Sequence, residues 1–187
     1  MSTPTERAGT RPLLLCAIGL LLTVADVNGF GFDFANDTVG YALVAAGSVS
    51  ARPTWTSWWS ALAVTSAVAA AVGLFTYGGV VSKLVSGSYF LWESMFYAVI
   101  LLGGAVVALL ALALRTTVRD RHREVALLLL AVTTVVLTGV RLLMRLFEIG
   151  VYGPTNYLLQ LVVVMNGLLA LALLVLVFLV VTDTGDA

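Results

Sequence analysis

The sequence predicts an all-α integral membrane protein, a bundle of six transmembrane helices whose second member is short or re-entrant. Only 11% of its 187 residues are charged and 60% are hydrophobic, with a mean hydropathy of +1.04. A soluble domain carries roughly 25% charged residues, and so few cannot cover a water-facing surface. Residues 56–81, 94–114, 125–140 and 149–182 are free of charge, against the roughly 18 apolar residues that mark a candidate spanning helix. The strongest basic cluster, Arg115, Arg119, Arg121 and Arg123, falls in one short polar break between two such runs.

Taken in order, the apolar segments lie at about 11–30, 35–51, 56–79, 91–114, 124–147 and 155–181. The start of the first, with Arg7 and Arg11 before an apolar run and Thr23 and Ala25 after it, also has the outline of a signal peptide. The run is long enough to span through Phe30, so an uncleaved first helix is preferred. The second segment, 34–50, makes roughly 25 Å of helix against a hydrocarbon core of ~30 Å. The third is rich in alanine, and Gly103, Gly104 and Ala105 in the fourth are small enough for close helix packing.

Short cytoplasmic loops collect Lys and Arg, which puts the Arg115–Arg123 break inside. Six spans then place Arg7, Arg11 and Arg52 inside with both termini cytoplasmic, and Asp26, Asp33 and Asp37 outside. Five spans would move Arg7 and Arg11 to the outside. Trp55, Trp58 and Trp59 are expected at the inner interface, and Tyr89, Phe90 and Trp92 at the outer one. One Lys, Lys83, beside nine Arg is the pattern of GC-rich codon usage and a prokaryotic source.

The stretch "NGFGFDFANDTVGYALVAAG", residues 28–47, is too polar to belong to the apolar runs around it. Gly29, Gly31 and a turn at Asp33 break the first helix, and Asn36 or Asp37 caps the second, its oxygen accepting from free backbone N–H groups. Gly40 and Gly47 are two turns apart on one face, where they allow a neighbouring helix to approach closely. The pattern resembles an uncharacterised family of small polytopic bacterial membrane proteins. In that family a first helix ends in Asn or Asp, and a short second helix carries Pro-Asp, Ile-Gly-Tyr, a Leu-Ile pair and Gly. Asp37, Gly40, Tyr41, Leu43 and Gly47 match; Val39 and Val44 are conservative replacements, and Asn36 stands at the proline position. The resemblance covers residues 13–47 and implies an architecture but no chemistry.

Thr134, Thr138, Arg141, Arg145 and Glu148 recur at helical spacing and share one face of the fifth segment. Ionisable residues within a span face the bundle interior or a watery cavity. Asp26, Asp33, Asp37 and Glu93 are expected at the same level, so that all seven ionisable residues would frame one outward polar pocket. The plainer alternatives are that Arg141 and Arg145 snorkel to the interface, that Glu148 pairs locally, and that Asp37 only caps. Asn156, Gln160 and Asn166 are read as glue between helices. The Asn36-Asp37-Thr38 glycosylation sequon lies too near the membrane to favour use.

His122 is the only histidine and Cys16 the only cysteine. A bis-histidine haem and a His-built metal site are therefore excluded, no cofactor is expected, and no hydrolase or nucleotide-binding motif is present. A net charge of zero implies no nucleic-acid partner. The expected partners are the lipid bilayer and either another membrane protein or a second copy of the chain. Three functions stand: a small transporter-like protein whose pocket involves Asp37, Arg141, Arg145 and Glu148; a non-catalytic accessory or scaffold subunit; and, last, a membrane-embedded enzyme on a lipid-like substrate.

Overall fold

The computed structural model describes residues 10–24, 33–51, 57–77, 89–118, 120–147 and 156–185. They form six α-helices: α1 Thr10–Val24, α2 Asp33–Ser50, α3 Ser57–Tyr77, α4 Tyr89–Arg115, α5 Arg121–Leu146 and α6 Asn156–Gly185. Four contain stretches long and apolar enough to cross a membrane: Ser57–Leu74, Tyr97–Arg115, Arg121–Leu146 and Gln160–Thr182. The apolar part of α1, Arg11–Thr23, is shorter. α2 opens with two acids in its first five residues, Asp33 and Asp37. It starts earlier than the capping argument requires, so Asn36 and Asp37 lie inside the helix rather than at its cap. Acids there still suit the positive end of the helix dipole.

Each helix packs on the next, and α6 returns to pack on α1 while also touching α4. α1 and α2 are antiparallel and very close. A Cβ on Gly19 would lie 2.5 Å from the Gly40 carbonyl oxygen, and one on Gly47 would lie 2.7 Å from both the Pro12 carbonyl oxygen and Cys16 Sγ. Only glycine allows backbones to meet at that distance, as the two-turn spacing of Gly40 and Gly47 anticipates. Cys16, fully buried, donates its S–H to the Val44 carbonyl at 3.7 Å across this contact.

The Arg115–Arg123 break folds into a tight turn. The Arg115 guanidinium donates to Glu124 Oε1 from Nε and Nη2, at 2.9 and 2.7 Å. Asp120 caps α5 by accepting from the His122 N–H and lies 3.7 Å from Arg123 Nε. Thr116 and Thr117 return their hydroxyl protons to the Ala113 and Leu114 carbonyls. Several of the backbone groups that a helix end leaves open are thus given local partners. This end of the bundle is called the Arg115 end below, and the opposite one the Arg145 end.

The apolar core is lopsided. Its cluster includes Leu13, Cys16 and Leu20 of α1, Val44 of α2, Trp59, Leu62 and Ala69 of α3, and Val106, Leu110 and Leu114 of α4. Leu127, Leu130 and Ala131 of α5 join it, as do Ala170, Leu173, Leu174, Val177 and Val180 of α6. It thus takes the first half of α3 and the second half of α4, and likewise of α5 and α6, which makes these pairs antiparallel too. Among the described residues its buried members reach toward the Arg145 end as far as Leu20, Val44, Ala69, Val106, Ala131 and Ala170, with half-buried Tyr41, Leu102 and Leu169 packed against it beyond them. Trp59, expected at the interface, is fully buried against neighbouring helices near the Arg115 end, whereas Trp58 is exposed. Trp55 lies outside the described residues, and the side chains of Tyr89, Phe90 and Trp92 are not described.

Candidate functional site

Beyond the apolar cluster, toward the Arg145 end, the buried residues among those described are Gly40, Gly73, Ile100, Thr134 and Thr138. Glycine and threonine replace leucine and alanine as the interior. The fifth-segment spacing places four of its five residues as expected: Thr134 and Thr138 are buried, and Arg141 and Arg145 are half-buried on the same face. Arg141 Nε is shut off from solvent.

The neighbouring helices are shaped to this stripe. A Cβ on Gly104 would collide with the Thr138 side chain, so α4 presents bare backbone to α5 at that level. Seven residues further along α4, Tyr97 donates its hydroxyl proton to the Arg145 carbonyl at 3.5 Å. The Phe147 N–H donates to the Leu143 carbonyl at 2.9 Å, closing the end of α5. From α2, the Tyr41 hydroxyl reaches α4 and would lie 2.8 Å from a Cβ on Gly103. The Gly103-Gly104 pair thus receives a tyrosine on one side and a threonine on the other, which is the packing role read from the sequence.

These contacts fix the levels. Arg141 lies three residues beyond Thr138, and Asp37 four residues beyond Tyr41, both toward the Arg145 end. At 1.5 Å per residue Arg141 stands about one helical turn beyond the Gly104–Thr138 contact, and Asp37 about one turn beyond Tyr41. Asp37, Tyr41, Tyr97, Arg141 and Arg145 are all engaged in polar, ring or electrostatic contacts. Asp33 begins α2 and Glu93 lies in the first turns of α4, both at this end, though their side chains are not described. Asp26 and Glu148 lie outside the described residues.

Buried hydroxyls fall into two groups, a distinction invisible in the sequence. Ser48 donates to the Val44 carbonyl of its own helix at 2.7 Å, as Thr23 does to Leu20 at 2.9 Å. The hydroxyls of Thr38, Ser66 and Thr134 are buried and have no hydrogen-bond partner. Ser66 is fully buried, Thr134 is 3% exposed, and Gly73 leaves the room that Thr38 Oγ1 occupies. Stepping from Thr38–Gly73 and from Gly104–Thr138 brings Ser66 and Thr134 to similar mid-bundle depth, at the boundary of the apolar cluster. Buried hydroxyls without partners cost about 1–3 kcal/mol each, which sets Thr38, Ser66 and Thr134 apart from the self-satisfied Ser48.

Comparison with protein-family models, curated proteins and solved structures finds no match. The chemistry must come from the residues themselves. Among the described residues no three of His, Cys, Asp and Glu come together to hold a metal ion. Arg141 and Arg145 instead offer planar guanidinium groups, each with five N–H donors and no acceptor, a match for carboxylate or phosphate oxygens. The last helix departs from expectation: Gln160 is exposed and only Asn166 turns partly inward, while the side chain of Asn156 is not described.

Proposed function

We propose that the chain is a multi-pass membrane protein of six spans, both termini cytoplasmic, whose Arg145 half forms an outward-facing pocket for a small anionic group, in the manner of a small transporter. The observation that carries this reading is the change of interior halfway along the bundle. The Arg115 half is sealed by Leu62, Leu110, Leu114, Leu127 and Trp59. The other half is lined by hydroxyls, tyrosines and the Arg141/Arg145 pair over a floor of Ser66 and Thr134. The arginines bind the anion, Asp37 keeps their charge balanced when it leaves, and the apolar seal prevents leakage. The basic turn at the Arg115 end supports the orientation.

The test is ligand-dependent stability of the purified full chain across phosphate, sulfate and short carboxylates, followed by flux in proteoliposomes. A ligand at about 100 times its Kd stabilises by about 2.7 kcal/mol, and Arg141→Gln should abolish that gain. No shift with any anion, and no flux, would remove the reading. A second reading, an accessory subunit, has Gly139 and Gly167 in its favour. Nothing lies within 4 Å of a Cβ built on either, so these small residues serve no contact inside the described bundle. Copurification of a stoichiometric second membrane protein, lost on Gly139→Leu or Gly167→Leu, would favour it.

A further inference from the structure

α6 changes character at Gly167. From Ala170 onward it has a buried stripe: Ala170, Leu173, Leu174, Val177 and Val180. Before that point, among the described side chains of 157–168, none is buried, and only Val162 and Asn166 are even half-covered. Tyr157 is 76% exposed and Leu168 58%. The link from α5 to α6 is too short to recross the bundle, so this bare half stands at the Arg145 end, beside the polar half. On the facing helix, Leu142 and Met144 are half-covered with the two arginines, and Leu143, Leu146 and Phe147 are exposed. The described side chains of α5 and α6 at this end thus present apolar surface outward, beside the half-buried arginines.

We propose that the bound anion is the headgroup of an amphiphile, which enters sideways between α5 and the first half of α6 and leaves its acyl chain along that apolar surface. This rests on the anion-pocket reading and names its ligand class. Charge complementarity chooses the head: the planar, positively charged guanidinium groups suit the oxygens of a phosphodiester. The apolar surface chooses the tail, since a water-soluble anion has no use for an apolar side entrance. Asn166, turned inward from α6 two residues beyond exposed Val164, marks where polar and apolar surfaces meet.

Native mass spectrometry of the full chain, released from micelles containing phosphatidylglycerol and phosphatidylcholine, tests this, with melting in added inorganic phosphate as the second arm. Preferential retention of one phosphatidylglycerol is expected. Arg141→Gln with Arg145→Gln should lower it at least about tenfold, on the scale of a lost charged contact, while Arg121→Gln leaves it unchanged. Gly167→Trp, placed where a side chain meets open space, should lower it with both arginines intact and the apo melting temperature held, which separates blocked entry from misfolding. Stabilisation by phosphate without lipid retention overturns the amphiphile and keeps the pocket. Failure of both arms overturns both. Equal retention of the two lipids, loss only in Arg121→Gln, or a dimer mass in place of bound lipid also overturns the proposal.

Discussion

Gly40 has almost no room for change. A Cβ there would sit 2.7 Å from the Gly19 carbonyl oxygen and 3.2 Å from the Thr23 nitrogen, both backbone atoms that cannot step aside. Gly40→Val should destabilise by about 1–3 kcal/mol, as overpacking does, while Gly167→Ala, facing open space, should not lower the melting temperature. Trp59→Ala should cost about 3–5 kcal/mol by opening a cavity, and Trp58→Ala less than about 0.5 kcal/mol; unfolding in mixed micelles measures both pairs. Thr134→Val removes a buried, unpartnered hydroxyl at equal volume, so it should leave stability unchanged or raise it by about 1 kcal/mol while weakening anion binding. The Thr134–Arg145 stripe was legible because helical spacing is local. The burial of Trp59 was not, since tryptophan beside a charged loop suits either an interface or a core until the neighbouring helix is known. The orphan hydroxyl of Ser66 was equally hidden, because its neighbours come from other helices.

The helices themselves were legible to within a few residues, apolar runs and polar breaks being enough to place them. Three of the boundaries shifted for physical reasons. α4 and α5 extend to Arg115 and Arg121 because charged residues are at home in end turns, where they satisfy backbone groups or the dipole. α2 begins at Asp33 since acids favour a first turn. The Arg115–Glu124 clasp between α4 and α5 is well formed at 2.7 Å, but its side chains are 38% and 41% exposed. Solvent screening therefore limits it: Glu124→Gln should cost under about 1 kcal/mol, and less in high salt, as read from melting at two ionic strengths. Removing the anchor of an exposed turn is a smaller injury than it looks on paper.

At the scale of the molecule, the division into an apolar and a polar half follows from which faces meet, and single-helix patterns do not contain that. The sequence reading anticipated a polar pocket at one end, and the structure brings Asp37, Arg141 and Arg145 to that end. Asp26 and Glu148 fall outside the described residues, so their part in it stays with the proposal. In a Cys16→Ser background, Thr138→Cys should react slowly with a membrane-impermeant thiol reagent and Leu110→Cys not at all, because only the first borders the polar half. Equal reactivity at both sites would mean that the apolar half does not seal. Labelling at positions 36 and 120 from opposite sides of the membrane would support six spans; labelling of both from one side would refute them.

The close crossing of α1 and α2 bears on how the chain enters a bilayer during synthesis. α1 is 15 residues long, and α2 carries Asp33 and Asp37, so neither is among the four helices apolar enough to cross a membrane by length and composition. Together they hide polar backbone against each other at Gly19, Gly40 and Gly47. Since neither helix hides its polar backbone alone, the expected outcome is that the two insert together as one unit. Gly40→Val should accordingly shift α2 toward the failed-insertion fraction in a glycosylation-mapping assay, even where the four long helices partition normally.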